Sequence, residues 1–233
     1  FVGVLIIVHP GGELFTPAVL LPLASALCFS LYQLLTRKLS ESDSATTSNF
    51  FAGLVNISGQ TKGIIVAPKA TGEYKGQWAE SDDRIEGAAC PVDGRQNTLD
   101  MIAVDTKLGN WVQALNINGF TDWHIPSRDQ LEIIYRAFKP TNQENWVYSG
   151  VNISSLPPRN LYTNDSPKQC QLAEFKEGGE QAFDTTWYWT STQVGEASAW
   201  VQTFDDGTQY GTWKGSSGRA RAVRTINLSD LTI

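Results

Sequence analysis

The chain has 233 residues, a formal net charge of −6, 18% charged residues and 41% hydrophobic residues. That length accommodates one sizeable domain plus an appendage. The acidic balance and the scattering of Lys and Arg exclude a nucleic-acid partner, since phosphate binding needs a concentrated basic face.

In chain order, residues 14 to 35 form an uncharged apolar run that, at ~1.5 Å per residue, is long enough to cross a hydrocarbon core of ~30 Å. Arg37-Lys38 follows and favours the cytoplasmic side. A cleaved signal peptide fits poorly, because no basic segment precedes the run and the run is too long. Gly3-Val-Leu-Ile-Ile-Val-His-Pro-Gly11, Leu20 to Leu39 with Cys28 inside it, and Asp43-Ser-Ala-Thr46 resemble an internal piece of an EamA-type drug/metabolite transporter. The resemblance covers residues 1–55. It implies a bundle of many membrane helices, of which this stretch holds one and the end of another, so transport by this chain is not expected. Residues 1–55 then stand as an accidental fusion or as a membrane anchor, with membrane association through residues 14–35.

Composition changes near Asn56, and residues 56–233 read as a separate globular domain. Gly63-Ile-Ile-Val-Ala67 predicts a buried strand. Val104, Leu108, Trp111 and Leu115 fall at i, i+4, i+7 and i+11, the spacing of one helix face between Thr98 and Leu115. Ser127 with Gln130 three residues on predicts a capping box, followed by a buried stripe of Leu131, Ile134, Tyr135 and Phe138 and a stop at Pro140. Residues 141–184 have weak periodicity and predict a long irregular excursion with one short helix, a feature that is often functional. Strands follow at 187–191, 199–204, 208–213 and 220–225, with Asp206-Gly207 as a hairpin turn. Two helices followed by an antiparallel sheet define an α+β domain.

Cys90 and Cys170 show no metal-ligand spacing and are candidates for a disulfide in an oxidising compartment. Asn56, Asn152, Asn164 and Asn227 open Asn-x-Ser sequons, relevant to a secretory setting. Arg219, Arg221 and Arg224 form the one tight basic cluster, expected to pair with carboxylates of the same domain. No nucleophile–base–orienter set is apparent. His124 lies between Trp123 and Ile125 and reads as structural. Asp205-Asp206-Gly207 offers too few oxygens for calcium and reads as a solvated turn. No cofactor, metal site or enzyme activity is expected.

Several motifs occur in an order that is specific. They are Asp93-Gly-Arg-Gln-Asn-Thr98, Gly119-Phe-Thr-Asp-Trp-His-Ile-Pro-Ser-Arg-Asp-Gln-Leu131, Tyr188-Trp-Thr-Ser-Thr192, Ala199-Trp200, Phe204 with Asp206-Gly207, and Arg219-Ala-Arg-Ala-Val-Arg224. Over residues 60–226 they resemble the C-terminal domain of Lcl-type bacterial collagen-like adhesins, also found in phage tail proteins. They are similar, too, to the variable proteins of diversity-generating retroelements. The resemblance implies a C-type-lectin-like fold that binds a cell-surface protein or glycan through its C-terminal strands and loops, placed on a virion or cell surface. His124 stands where that family usually has Arg or Tyr, a difference read as lying at an exposed edge.

Within that frame Trp187, Trp189, Trp200 and Phe204 fit core positions. Tyr210 and Trp213 lie in a turn-rich, Ser/Gly-flanked stretch, as aromatics do in antibody-like contact surfaces. The expected ligand-binding set is Gln193, Glu196, Thr203, Asp205, Gln209, Tyr210, Thr212, Trp213 and Ser216. Two other readings compete. One is a membrane-anchored sensor that keeps the transporter-like helix. The other is an oxidase-type enzyme on a formylglycine-generating-like fold, which would need a reactive cysteine pair or a histidine set near the C-terminus; no cysteine follows Cys170 and no histidine follows His124.

Overall fold

A computed structural model describes residues 50–228. The chain divides into two units, Phe1–Ser48 and Asn49–Ile233. The apolar run at 14–35 and most of the transporter-like stretch lie outside the described residues. Among the described residues no helix is long and apolar enough to cross a membrane. The first strand, β1 (Phe51–Ile57), runs across the boundary expected at residue 55.

A two-residue turn at Ser58-Gly59 joins β1 to β2 (Gln60–Val66), and the Asn56 side chain accepts from the Gly59 N–H at 2.9 Å. After a single helical turn, α1 (Lys69–Gly72), the chain forms β3 (Glu73–Gly76). Helices α2 (Gly94–Ala103), α3 (Lys107–Gln113) and α4 (Arg128–Phe138) follow. The remaining strands are β4 (Ser155–Leu156), β5 (Trp187–Gln193), β6 (Ser198–Thr203), β7 (Gln209–Trp213), β8 (Gly218–Arg221) and β9 (Val223–Asn227). They build a four-stranded sheet, β4-β1-β2-β9, and a five-stranded sheet, β3-β8-β5-β6-β7. All pairings are antiparallel except β5 with β8. The domain is α+β.

The capping box forms at α4. Ser127 Oγ accepts from Gln130 N, and Gln130 Oε1 accepts from Ser127 N at 2.9 Å. The stripe Leu131, Ile134, Tyr135 and Phe138 is buried against Val55, Ile64, Val66 and Val223 of the four-stranded sheet and against Tyr188 and Phe204. A second cluster gathers Trp78, Met101, Leu108, Val112, Trp189, Val201 and Ala220.

Two expectations need correction. The helix face read between Thr98 and Leu115 is two helices. Asp105 has a φ of 60°, and the Thr106 hydroxyl caps α3 by accepting from Gly109 N at 3.1 Å. Val104, expected on the buried stripe, is 55% exposed in the break. The strand read over 220–225 is also two: β8 lies in the five-stranded sheet and β9 in the other, with Ala222 between them. Ala222 N donates to Gly72 O and Ala222 O accepts from Ala67 N, which holds the crossover between sheets.

That crossover divides the arginines. Arg224 Nε donates to Asp122 Oδ1 at 2.6 Å. Arg221 is fully buried and reaches Glu73 Oε2 through Nη2 at 2.8 Å and Nε at 3.1 Å, while its Nη1 donates to Ala67 O at 3.3 Å. Arg219 takes the other Glu73 oxygen at 2.6 Å. The three arginines pair with carboxylates of the same domain, as expected. A buried guanidinium stripped of its partner keeps its full desolvation penalty. Glu73→Ala is therefore expected to destabilise the protein by about 3–5 kcal/mol in urea denaturation, and adding Arg221→Met to recover part of that loss. A loss below about 1 kcal/mol would show that the pair does not hold the two strands together.

Candidate functional site

The β6–β7 hairpin and the loop at 145–149 are tied to one another. Gly207 turns the hairpin at a φ of 79°; a Cβ there would sit 2.5 Å from the Tyr135 ring, so only glycine fits. The Asp206 carboxylate accepts from the hydroxyls of Thr203 at 2.6 Å and Thr208 at 2.9 Å, and from Thr208 N at 2.9 Å. Partial burial pushes the carboxyl up, and these hydrogen bonds outweigh it and hold it below the usual range. Asp205 Oδ1 accepts from Asp206 N at 2.9 Å. Both side chains thus stabilise the turn, as the sequence suggested.

The loop is anchored by Asn145, which is buried. Its amide donates to the carbonyls of Thr163, Asn164 and Pro167 at 2.9–3.0 Å, and its oxygen accepts from Tyr135 OH and Lys139 Nζ at 2.7 and 2.8 Å. Trp146 N donates to Asp206 O at 2.8 Å, and Gln209 N donates to Ser149 Oγ at 3.1 Å. On this framework Trp146 is 48% exposed and Tyr148 75%, with ring centroids 5.2 Å apart. Tyr210, on β7, is 38% exposed; partial burial and the fields of Asp205 and Asp206 push its phenol up.

The expected ligand-binding residues divide into three groups. Thr203, Asp205, Gln209 and Tyr210 lie at the hairpin end, with the Trp146–Tyr148 loop. Glu196 is exposed in the β5–β6 turn, and Thr212, Trp213 and Ser216 lie at the far end of β7. There Trp213, 54% exposed, donates its indole N–H to Asp82 Oδ1 at 2.6 Å. Gln193 does not reach the surface: it is buried and clamps the Ile85 backbone, accepting from Ile85 N and from Lys214 Nζ, both at 3.1 Å. The alternation along β5 did not reveal this, because both faces of the strand are covered (all six residues from Tyr188 to Gln193 are polar or aromatic yet buried). Trp146 and Tyr148 were not among the expected residues. Their signal was the same as that of Tyr210 and Trp213: large aromatics in Asn145-Trp-Val-Tyr-Ser-Gly150, flanked by small polar residues.

Cys90 and Cys170, the two candidates for a disulfide, are both free thiols. Cys170 sits in the core beneath α4, whereas Cys90 Sγ accepts from Asp93 N at the start of α2. Asn152, one of the sequons, is buried, donating to Asp129 O and Glu132 Oε2 at 2.8 Å each. Among the described residues no group of three or more His, Cys, Asp or Glu side chains could hold a metal ion.

No protein-family model matches the chain, and no curated protein matches it. The chain is similar to a fimbrial protein from Bacteroides ovatus ATCC 8483 in its crystal structure, at 11% identity and a TM-score of 0.41. The match covers 69% of this chain and 35% of that one, so the chain spans about a third of the fimbrial protein. A likeness at this level assigns no function.

His124 is buried, 2% exposed, and its backbone bridges to Val223, which corrects the exposed-edge reading. Burial lowers its pKa to about 4, against the opposing pull of the Asp122 backbone and the Asp93 carboxylate. The ring is neutral when folded. As pH falls below ~6.5 the unfolded chain takes up a proton that the folded chain refuses, so stability is lost down to about pH 4. His124→Phe is expected to flatten the stability–pH profile in that window by up to about 3 kcal/mol relative to the wild type. Parallel profiles from urea melts at pH 7, 5.5 and 4.5 would contradict it.

Proposed function

We propose that residues 50–228 form a C-type-lectin-like recognition domain of the Lcl type, which binds a protein or glycan on another cell through the β6–β7 hairpin and the 145–149 loop. The carrying observation is the pairing of exposure with rigidity at Trp146 and Tyr148. Both rings stand in solvent, yet their loop is fixed by the buried Asn145 and by backbone ties to the hairpin. Rigid aromatics present contact area at low entropic cost, and interface hot spots are enriched in Trp and Tyr. The arrangement of the fold is compatible with this family, since the first hairpin and the last strand share a sheet (β2 with β9) while the second sheet carries the contact strands. The motif order over residues 60–226 supports the same family. In this reading the protein acts at a virion or cell surface, as the retroelement-diversified relatives do, by presenting side chains that can change over a constant scaffold. Catalysis has no part in it.

The test is capture of the labelled full-length chain by an array of bacterial cells and surface glycans. Tyr148→Ser and Tyr210→Ser are expected to lower capture by about tenfold or more. Both side chains are exposed, so the thermal midpoint should stay within about 2 °C. Undiminished capture by both variants would move the contact surface elsewhere.

A further inference from the structure

On the opposite edge of the five-stranded sheet, β3 and β8 bring two cations face to face. Lys75 is the cross-strand partner of Arg219. Like charges directly opposite each other destabilise a sheet. Arg219 is compensated, by Glu73 Oε1 at 2.6 Å and Asp184 Oδ2 at 2.5 Å. Lys75 is exposed and pairs with no carboxylate among the described residues. Among the described residues, the ion pairs of Lys69, Arg219 and Arg221 are made with two carboxylates, Glu73 and Asp184. This local surplus of positive charge stands on a chain whose net charge is −6.

The two cations line a pocket of about 310 Å³ with Asp184, Thr185, Thr186, Trp187, Ser217 and Gly218. That volume lies at the small end of the range for ligand sites. Trp187 is half-buried and held edge-on by Trp189, with centroids 4.9 Å apart at 85°. The indole lies against Gly218, where a Cβ would stand 1.9 Å from its ring, so β8 gives up a side chain to seat it. Arg219 and Asp184 are locked to each other yet remain 27% and 35% exposed. A fixed Arg–carboxylate pair offers donors and an acceptor side by side, which suits neighbouring hydroxyls on one ring.

We propose that this pocket binds an acidic pyranose, with the Trp187 indole against the sugar ring, Asp184 and Arg219 on its hydroxyls, and Lys75 on its carboxylate. The carboxylate would relieve the opposed cations of β3 and β8. An aromatic platform argues for a ring rather than a bare anion, and the unpaired ammonium argues for a charged sugar rather than a neutral one. The site is separate from the hairpin face and stands whether or not that face binds a partner.

Titration of the full-length chain in a sugar-free detergent, followed by saturation-transfer NMR, would compare methyl β-glucuronide, methyl β-glucoside and inorganic phosphate. The glucuronide is expected to bind at least about tenfold more tightly than the glucoside, one charge-assisted contact being worth that much. Lys75→Ala should remove the preference and leave the glucoside unchanged. Ser217→Tyr, at an exposed rim position, should abolish both sugars, and Tyr148→Ser should alter neither. The proposal is overturned if neither sugar binds, if phosphate binds as well as the glucuronide, or if glucuronide binding survives both pocket variants with their thermal midpoints intact.

Discussion

The buried Arg221 guanidinium constrains more of this domain than any other single group. It lies at the strand that ends the five-stranded sheet's contribution to the crossover, immediately before Ala222 carries the chain into the other sheet. A charge with no exposure must be matched where it stands. Glu73 supplies the match from β3, and its two oxygens are shared between Arg221 and Arg219. Arg221 also reaches Ala67 O, Gln181 O at 3.5 Å and the Phe183 ring at 4.6 Å, while Tyr188 OH meets Glu73 at 3.2 Å. One side chain thus touches the end of β2, the end of the irregular excursion and the ion pair that sets β3 against β8. Shifting β8 by one residue would put Ala220 or Ala222 opposite Glu73 and leave its carboxylate without a guanidinium.

A second buried polar centre holds the excursion without the help of regular secondary structure. Over residues 141–184 the backbone forms little more than β4, short bridges and one 3-10 turn at Ala173–Phe175. Its polar groups still need partners where they are buried. Asn145 meets that need by bonding three carbonyls and joining Tyr135 of α4 to Lys139. Asn152 does the same farther on, linking Glu132 and Asp129 to the Ser154 and Ser155 amides. Loops pinned in this way can expose large side chains without losing their shape. The segment therefore combines an irregular backbone with outward-facing Trp146, Tyr148, Val151 and Ile153.

The five-stranded sheet has two edges of different chemistry. β7 carries exposed aromatics and its turn is acidic, with the Asp206 carboxyl held ionised by hydroxyls of its own hairpin. β3 carries Lys75 opposite Arg219. The central strands, β5 and β6, are covered on both faces; Tyr188 and Phe204 face the α4 cluster, while Trp189 and Val201 face the Trp78 cluster. A sheet buried in its middle leaves its edges and the loops that meet them as the surfaces available for recognition.

What the sequence alone determined is what depends on neighbours a few residues away. The Ser127–Gln130 box, the Leu131–Phe138 stripe and the Asp206-Gly207 turn need only local geometry, and so they were legible. Thr106 as a cap within an apparently continuous helix was local too, yet the i, i+4 pattern of Val104 and Leu108 masked it. Tertiary structure decided the rest. Gln193 is buried because the Ile85 loop folds over β5, and Tyr148 is exposed because Asn145 ties its loop to residues 163–167. His124 is buried because β9 crosses from the other sheet to meet it. Lys75 opposes Arg219 only through the register of strands more than a hundred residues apart in sequence. Such outcomes depend on pairings between distant segments, and a side chain's exposure is set by what packs on it rather than by its own neighbours in the chain.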